Sequence, residues 1–320
     1  MARRRLPLEF KVMVGMVIVL TLPFVITLMT VSQPRAVLDT SLNPTPHGYT
    51  WSLSLFIVPV IVLAAWLTPR RQNRVQRKAF WITAAFVSCA GIGLDVFFGA
   101  TFFTFPYAGA TLGIDFHGYS PANGWHNKIP IEEIGFYVFG SLAVLLVYIW
   151  GDEYWFGAYN VDDGPRRKTR RRDVISFHPA SAILGVLVFA GGLLYKKFGP
   201  HVNHEGFPGY FLFLTLVALT PSILFFPIAS PYINWRAFSL GLFFILLVSL
   251  FWEATIAVPY QWWGFQPRQM LGLFINGFSG LPVEEPMLWA GVTWATVIVY
   301  ETVSTLLLME RARGEEKPRD

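Results

Sequence analysis

Apolar residues run through this chain in long blocks separated by short polar joints. The blocks cover 12–31, 51–67, 79–104, 130–150, 178–195, 208–228, 237–258 and 283–307. An apolar helix of about 20 residues crosses a hydrocarbon core roughly 30 Å thick. The pattern therefore predicts an all-α polytopic membrane protein with about eight transmembrane helices. The first block, Val12 to Val31, is longer than the apolar core of a secretory signal, and no small-residue cleavage site comes after it, so a retained first span is expected.

The polar joints orient the spans. With both termini inside, the segments 1–11, 68–78, 151–177, 229–236 and 308–320 hold 20 of the 25 lysines and arginines. Basic residues stay preferentially on the cytoplasmic side, so both termini are expected in the cytoplasm and the protein in the cell membrane. The longest inner joint, "DDGPRRKTRRRD" at 162–173, reads as a solvated linker. It divides the chain into a first four-helix repeat (1–161), a basic linker (162–177) and a second four-helix repeat (178–320). Each half has an even number of spans, so the halves share one orientation and form a parallel repeat.

Composition agrees: 54% of residues are hydrophobic and only 14% charged, against about 25% charged in soluble domains. The net charge of +5 is absorbed by the topological role of the basic joints and does not point to nucleic acid. A single cysteine, Cys89, excludes an intrachain disulfide.

Against this background a few acids stand out. "KIPIEEIGFYVFG" carries Glu132 and Glu133 at the mouth of the fourth span, and "GLPVEEPMLWAG" carries Glu284 and Glu285 at the mouth of the eighth. The prolines that precede them, Pro130 and Pro282, are 152 positions apart. In each half a further acid, Asp95 or Glu253, lies late in the preceding span, and both outer loops contain a Pro-Tyr pair, 106–107 and 259–260. Proline at the first helical position and glutamate in the first turn suit any helix start. Duplication of the whole constellation favours function, because ionisable groups within a bilayer are costly. Adjacent helical residues point about 100° apart, so one glutamate of each pair faces the bundle; Glu132 and Glu284 are expected there. No lysine or arginine lies deep in the spans to neutralise these acids. Carboxyls gathered in low dielectric cannot all ionise, which makes a site able both to donate a proton and to stabilise a cation. Glu301 lies about 25 Å further along the last helix and reads as structural.

At these residues the chain resembles the membrane-embedded, cofactor-independent lycopene cyclases, which occur as two small bacterial subunits or as fused archaeal and fungal forms. The family pattern is an acid after a tryptophan, an outer loop with aromatics and a glycine, then Pro-x-Glu-Glu followed by aromatics. The second half matches it at Trp252-Glu253, Trp263, Phe265, Pro267, Leu271-Gly272, Pro282, Glu284 and Glu285; the first at Asp95, Pro130, Glu132, Glu133 and Phe136. Leu94 stands where the family carries tryptophan, and Pro286 is expected to delay the last helix by a turn, leaving Glu284 and Glu285 extended.

The resemblance implies carotenoid biosynthesis: ring closure at the end of a linear carotenoid, an isomerisation that needs no cofactor or metal. A carboxylic acid protonates the terminal double bond, the neighbouring double bond attacks the cation, and a carboxylate removes a proton. Glu132 and Glu284 are assigned to proton handling, Glu133 and Glu285 as electrostatic partners, and Asp95 and Glu253 as supporting acids. Trp252, Tyr260, Trp263, Trp289 and Phe136 are the expected substrate-facing aromatics, able to stabilise a cation. The implied partners are a lipophilic polyene, membrane lipid and other carotenoid-pathway enzymes.

Rival readings are a carotenoid hydratase using the same acids and a proton-coupled transporter, although the spans lack a polar path across the membrane. A retinal receptor needs a mid-span lysine, which is absent. The six histidines are dispersed, and no dinucleotide fingerprint occurs.

Overall fold

The computed structural model describes residues 46–67, 74–159, 176–200 and 204–315. The expected first span, 12–31, and most of the basic linker lie outside them. Along the chain run α1 (Gly48–Leu67), α2 (Arg74–Leu94), β1 (Phe103–Thr104), β2 (Asp115–Ser120), β3 (Gly124–Pro130) and α3 (Glu132–Trp150). After the linker come α4 (Pro179–Phe198), α5 (Gly209–Ala229), α6 (Trp235–Trp252), β4 (Gly264–Phe265), β5 (Phe274–Ile275), β6 (Leu281–Pro282) and α7 (Glu284–Glu315). Among the described residues seven helices are long and apolar enough to cross a membrane. They match the expected spans 51–67 to 283–307 to within a few residues.

Lipid is the solvent this surface was built for. Trp51, Val62, Phe86, Leu187, Phe198 and Phe251 are all more than half exposed. Such a belt would be a liability in water. In hydrocarbon every backbone amide must find its partner inside the protein, which is why the spans are helices. The two prolines inside α5 illustrate the accounting. Pro227 cannot donate to Ile223, and the freed carbonyl takes a hydrogen bond from the His178 amide at 2.8 Å.

The halves repeat in their packing. In the first, α1 and α2 pack on α3; in the second, α5 and α6 pack on α7. Across the halves α2 packs on α7 and α6 on α3, with α3 and α7 in contact at the centre. These central helices run in the same direction: Phe136 meets Trp289 at 5.4 Å between ring centroids, and three turns on Tyr148 meets Tyr300 at 6.1 Å. The outer α4 rests on α5, where Gly192 leaves room for the ring of Phe211.

The joints at the acid end are ordered. After Asp115, whose Cα partners Pro130, the hairpin β2–β3 lies over the end of α2. In the second half the same closing pair is Phe274 with Pro282, in the much shorter β5–β6. One pair, β1–β4, joins the two halves through Phe103 and Phe265.

Both prolines before the acid pairs are thus strand residues, not the first residue of a helix. Nor does Pro286 delay α7, which begins at Glu284. An amide in the first turn has no acceptor within the helix, so proline costs nothing there. Glu284 and Glu285 are helical, and the expected extended approach is not found. The two Pro-Tyr pairs are not equivalent: Pro106-Tyr107 precedes the short helical turn Ala108–Ala110, whose counterpart is Pro267–Gln269, whereas Pro259-Tyr260 directly follows α6 and its added turn.

Candidate functional site

Both late-span acids sit at an irregularity. α2 and α6 each end in a five-residue π-helical turn, Asp95–Gly99 and Glu253–Ala257, and the acid is its first residue. A π turn inserts one residue into the helical register and re-aims the side chains beyond it; such turns gather at functional sites. Asp95 and Glu253 are both fully buried. The four glutamates that open α3 and α7 are also buried.

Each half builds the same small network. Tyr49, at the start of α1, donates to Glu133 at 2.6 Å; Tyr210, at the start of α5, donates to Glu285 at 3.0 Å. Four residues beyond Glu133, Tyr137 donates to Asp95 at 3.2 Å; four beyond Glu285, the Trp289 indole donates to Glu253 at 2.7 Å. One helical turn separates acid and donor, so they share a face. The Asp95 and Glu133 carboxyls are close enough to interact electrostatically, and so are those of Glu253 and Glu285. Asp95 Oδ2 and Glu253 Oε2 have no hydrogen-bond partner.

The first glutamate of each pair turns the other way. Glu132 accepts from the Leu112 amide at 2.8 Å and from the Thr50 hydroxyl, and Glu284 accepts from the Leu271 amide. Leu112 and Leu271 are each followed by a glycine, Gly113 and Gly272, with φ of 73° and 92°. That left-handed geometry suits glycine and aims the preceding amide at the carboxyl. Glu132 and Glu284 therefore pin the outer loops to the helix starts.

The second glutamates face a chamber of about 30 Å³ at the centre of the molecule. Glu133, Glu253 and Glu285 line it with Tyr49, Tyr137 and Tyr210, and Phe103, Phe105, Phe136, Trp263 and Leu288 close it. The expected inward pair, Glu132 and Glu284, is not in this lining. The hydrogen bond to the loop amide decides the matter, and it depends on loop geometry rather than on helical phase. Of the expected substrate-facing aromatics, Phe136 and Trp263 line the chamber. Trp289 lines an apolar cleft of about 300 Å³ that continues from it. Trp252 and Tyr260 lie outside both linings: Trp252 is tied to Ser52 Oγ at 2.5 Å, and Tyr260 stacks on Trp262.

Tyr49, Tyr137 and Tyr210 are functional candidates beyond those the acid motifs indicated. The signal for two of them is a second duplication, Gly-Tyr at 48–49 and 209–210. Lys196, in the last turn of α4, adds a buried ammonium with no hydrogen-bond partner, within electrostatic reach of Glu284. The acids are thus not wholly without a counter-charge, which arrives from a helix end rather than from mid-span.

Glu301 belongs to a different network. It accepts from Tyr148 at 2.5 Å, and the Tyr148 hydroxyl accepts from the Asn234 amide at the start of α6. Asn234 also caps α6 and donates to Asp152 at 2.8 Å. That arrangement lies at the end of the bundle away from the acid pairs.

Compared with known proteins, the chain matches no family model, no curated protein and no solved structure.

Proposed function

We propose that this protein is a membrane-embedded carotenoid cyclase, closing a ring at the end of a linear polyene by proton transfer without a cofactor. The observation that carries this reading is the central chamber: three carboxyls, Glu133, Glu253 and Glu285, on one aromatic-walled space within apolar helices, with Asp95 behind Glu133.

Two neighbouring carboxyls in low dielectric cannot both ionise, so each pair retains a proton. One pair delivers that proton to the terminal carbon–carbon double bond of the substrate, leaving a tertiary cation. The next double bond supplies the electrons that close the ring and moves the positive charge onto it. The other pair, as carboxylate, takes a proton from carbon, and the new double bond neutralises the charge. One proton enters and one leaves, so the product is an isomer. The acid and base assignments of the pairs stay interchangeable. Glu132 and Glu284 act here as positioning residues for the loops that roof the site, not as proton carriers.

The surroundings suit a cation. Negative charge lies on two sides, ring faces of Phe136 and Trp263 border the space, and the tyrosine hydroxyls hold the carboxyls in place. A chamber of about 30 Å³ has room for little more than one water. A terminal isoprenoid group enters only when Phe136, Tyr137 or Leu288 swings aside, and by filling the space it displaces the water that would otherwise capture the cation as an alcohol.

The test is expression in a lycopene-accumulating bacterium grown in heavy water, with chromatography and mass spectrometry of the pigments. Cyclic carotenoid carrying deuterium is the expected result. Unchanged lycopene would overturn the reading, and a hydroxylated acyclic pigment would make the protein a hydratase.

A further inference from the structure

The apolar cleft next to the chamber lies between α2, α3, α5 and α7, with a volume of about 300 Å³. Its inner end includes Phe136, Tyr137 and Leu288, which also line the chamber, so these three side chains stand between the two spaces. From Leu288 to Val299 the cleft runs along α7 for about 16 Å. Its mouth lies between α2 and α5, where Phe86, Ala90, Leu216 and Thr220 are exposed. These residues are in the middle of membrane-crossing helices, so the mouth faces lipid and not water.

The repeat predicts a second cleft on the other side, between α6, α7, α1 and α3. On that side Trp252 stands beside the acids. Trp252 occupies the position in α6 that Leu94 holds in α2, each directly before the π turn and its acid. The Trp252 indole is bonded to Ser52 of α1 and packs against Phe136 and Trp263, at 6.3 and 5.0 Å between ring centroids. Leu94 is smaller and lines the open cleft.

We infer that the cleft between α2, α3, α5 and α7 is the binding site for the tail of a linear isoprenoid polyene, which enters sideways from the bilayer and presents its end group through the Phe136–Tyr137–Leu288 partition to the acids. The identity of the ligand rests on the proposed cyclisation. Continuity with the acid chamber distinguishes this cleft from an ordinary groove for lipid acyl chains.

The experiment uses the full chain in nanodiscs with a diazirine-bearing geranylgeranyl probe, then peptide mapping and competition with lycopene, alongside pigment conversion in cells. Label is expected on α2 and α5 at the cleft, and lycopene should displace it. Ala90→Phe and Thr220→Phe, which fill the mouth from opposite walls, should each lower labelling and conversion by roughly tenfold or more. Leu63→Phe, in a separate apolar cavity of about 200 Å³ lined also by Leu146 and Leu240, should change neither. Three results would each overturn the inference: label scattered over the lipid-facing surface, label that lycopene does not displace, or mouth variants no weaker than Leu63→Phe. Specific, displaceable labelling without ring formation would leave the binding site standing and remove the cyclase reading instead.

Discussion

The division of labour between adjacent glutamates is set by single hydrogen bonds. Glu133 and Glu285 each contact a second carboxyl and a tyrosine, whereas Glu132 and Glu284 hold a loop amide. Glu133→Gln and Glu285→Gln should therefore lower cyclisation by roughly a hundredfold or more, the scale of a lost general acid or base. Thermal melting in detergent should hardly change. Glu132→Gln keeps an oxygen for Leu112 and Thr50 and should cyclise near the wild-type rate. Glu132→Ala leaves the buried amide of Leu112 unpaired and should cost about 1–3 kcal/mol of stability. Equal rate losses in Glu132→Gln and Glu133→Gln would erase the distinction. Sequence alone exposed all six acids through their duplication. It could not say which of two neighbours points inward, since the helical phase fits either one.

Among elements, the π turns that end α2 and α6 and the parallel pair α3–α7 carry the site. The π turns left no mark in the apolar pattern, because a five-residue π turn and its α-helical neighbours look alike in composition. The strands were equally hidden: "KIPIEE" places a proline before two glutamates, which fits a helix start as well as the last rung of a hairpin. At the opposite end, Tyr148 joins α3, α6 and α7 through its hydroxyl. Tyr148→Phe removes both bonds and leaves a buried Glu301 with one donor fewer. Thermal unfolding in detergent should reveal a loss of about 1–3 kcal/mol, with the products of cyclisation unchanged. A shift in product pattern would instead tie this end to the chemistry.

For the molecule as a whole, the halves touch along α2–α7, α3–α6, α3–α7 and β1–β4, and each acid pair lies within one half while the chamber needs both. Residues 1–165 and 166–320 expressed as separate chains should therefore co-purify and cyclise together, and neither should act alone. Activity from a single half would show that the chamber is not shared.

Length and apolarity of the blocks determined the membrane class and the number and limits of the described spans, because crossing a bilayer is a demand that composition alone displays. The internal repeat was legible for the same reason: Pro-x-Glu-Glu and Gly-Tyr recur at corresponding places. Tertiary structure decided which carboxyls meet. It set Asp95 near Glu133 and Glu253 near Glu285, turned Glu132 and Glu284 toward the loops, and placed Leu94 in the wall of the open cleft where the other half carries Trp252. Those outcomes depend on loop lengths, one-residue register shifts and the packing of aromatic rings between helices far apart in the chain, none of which a linear pattern records.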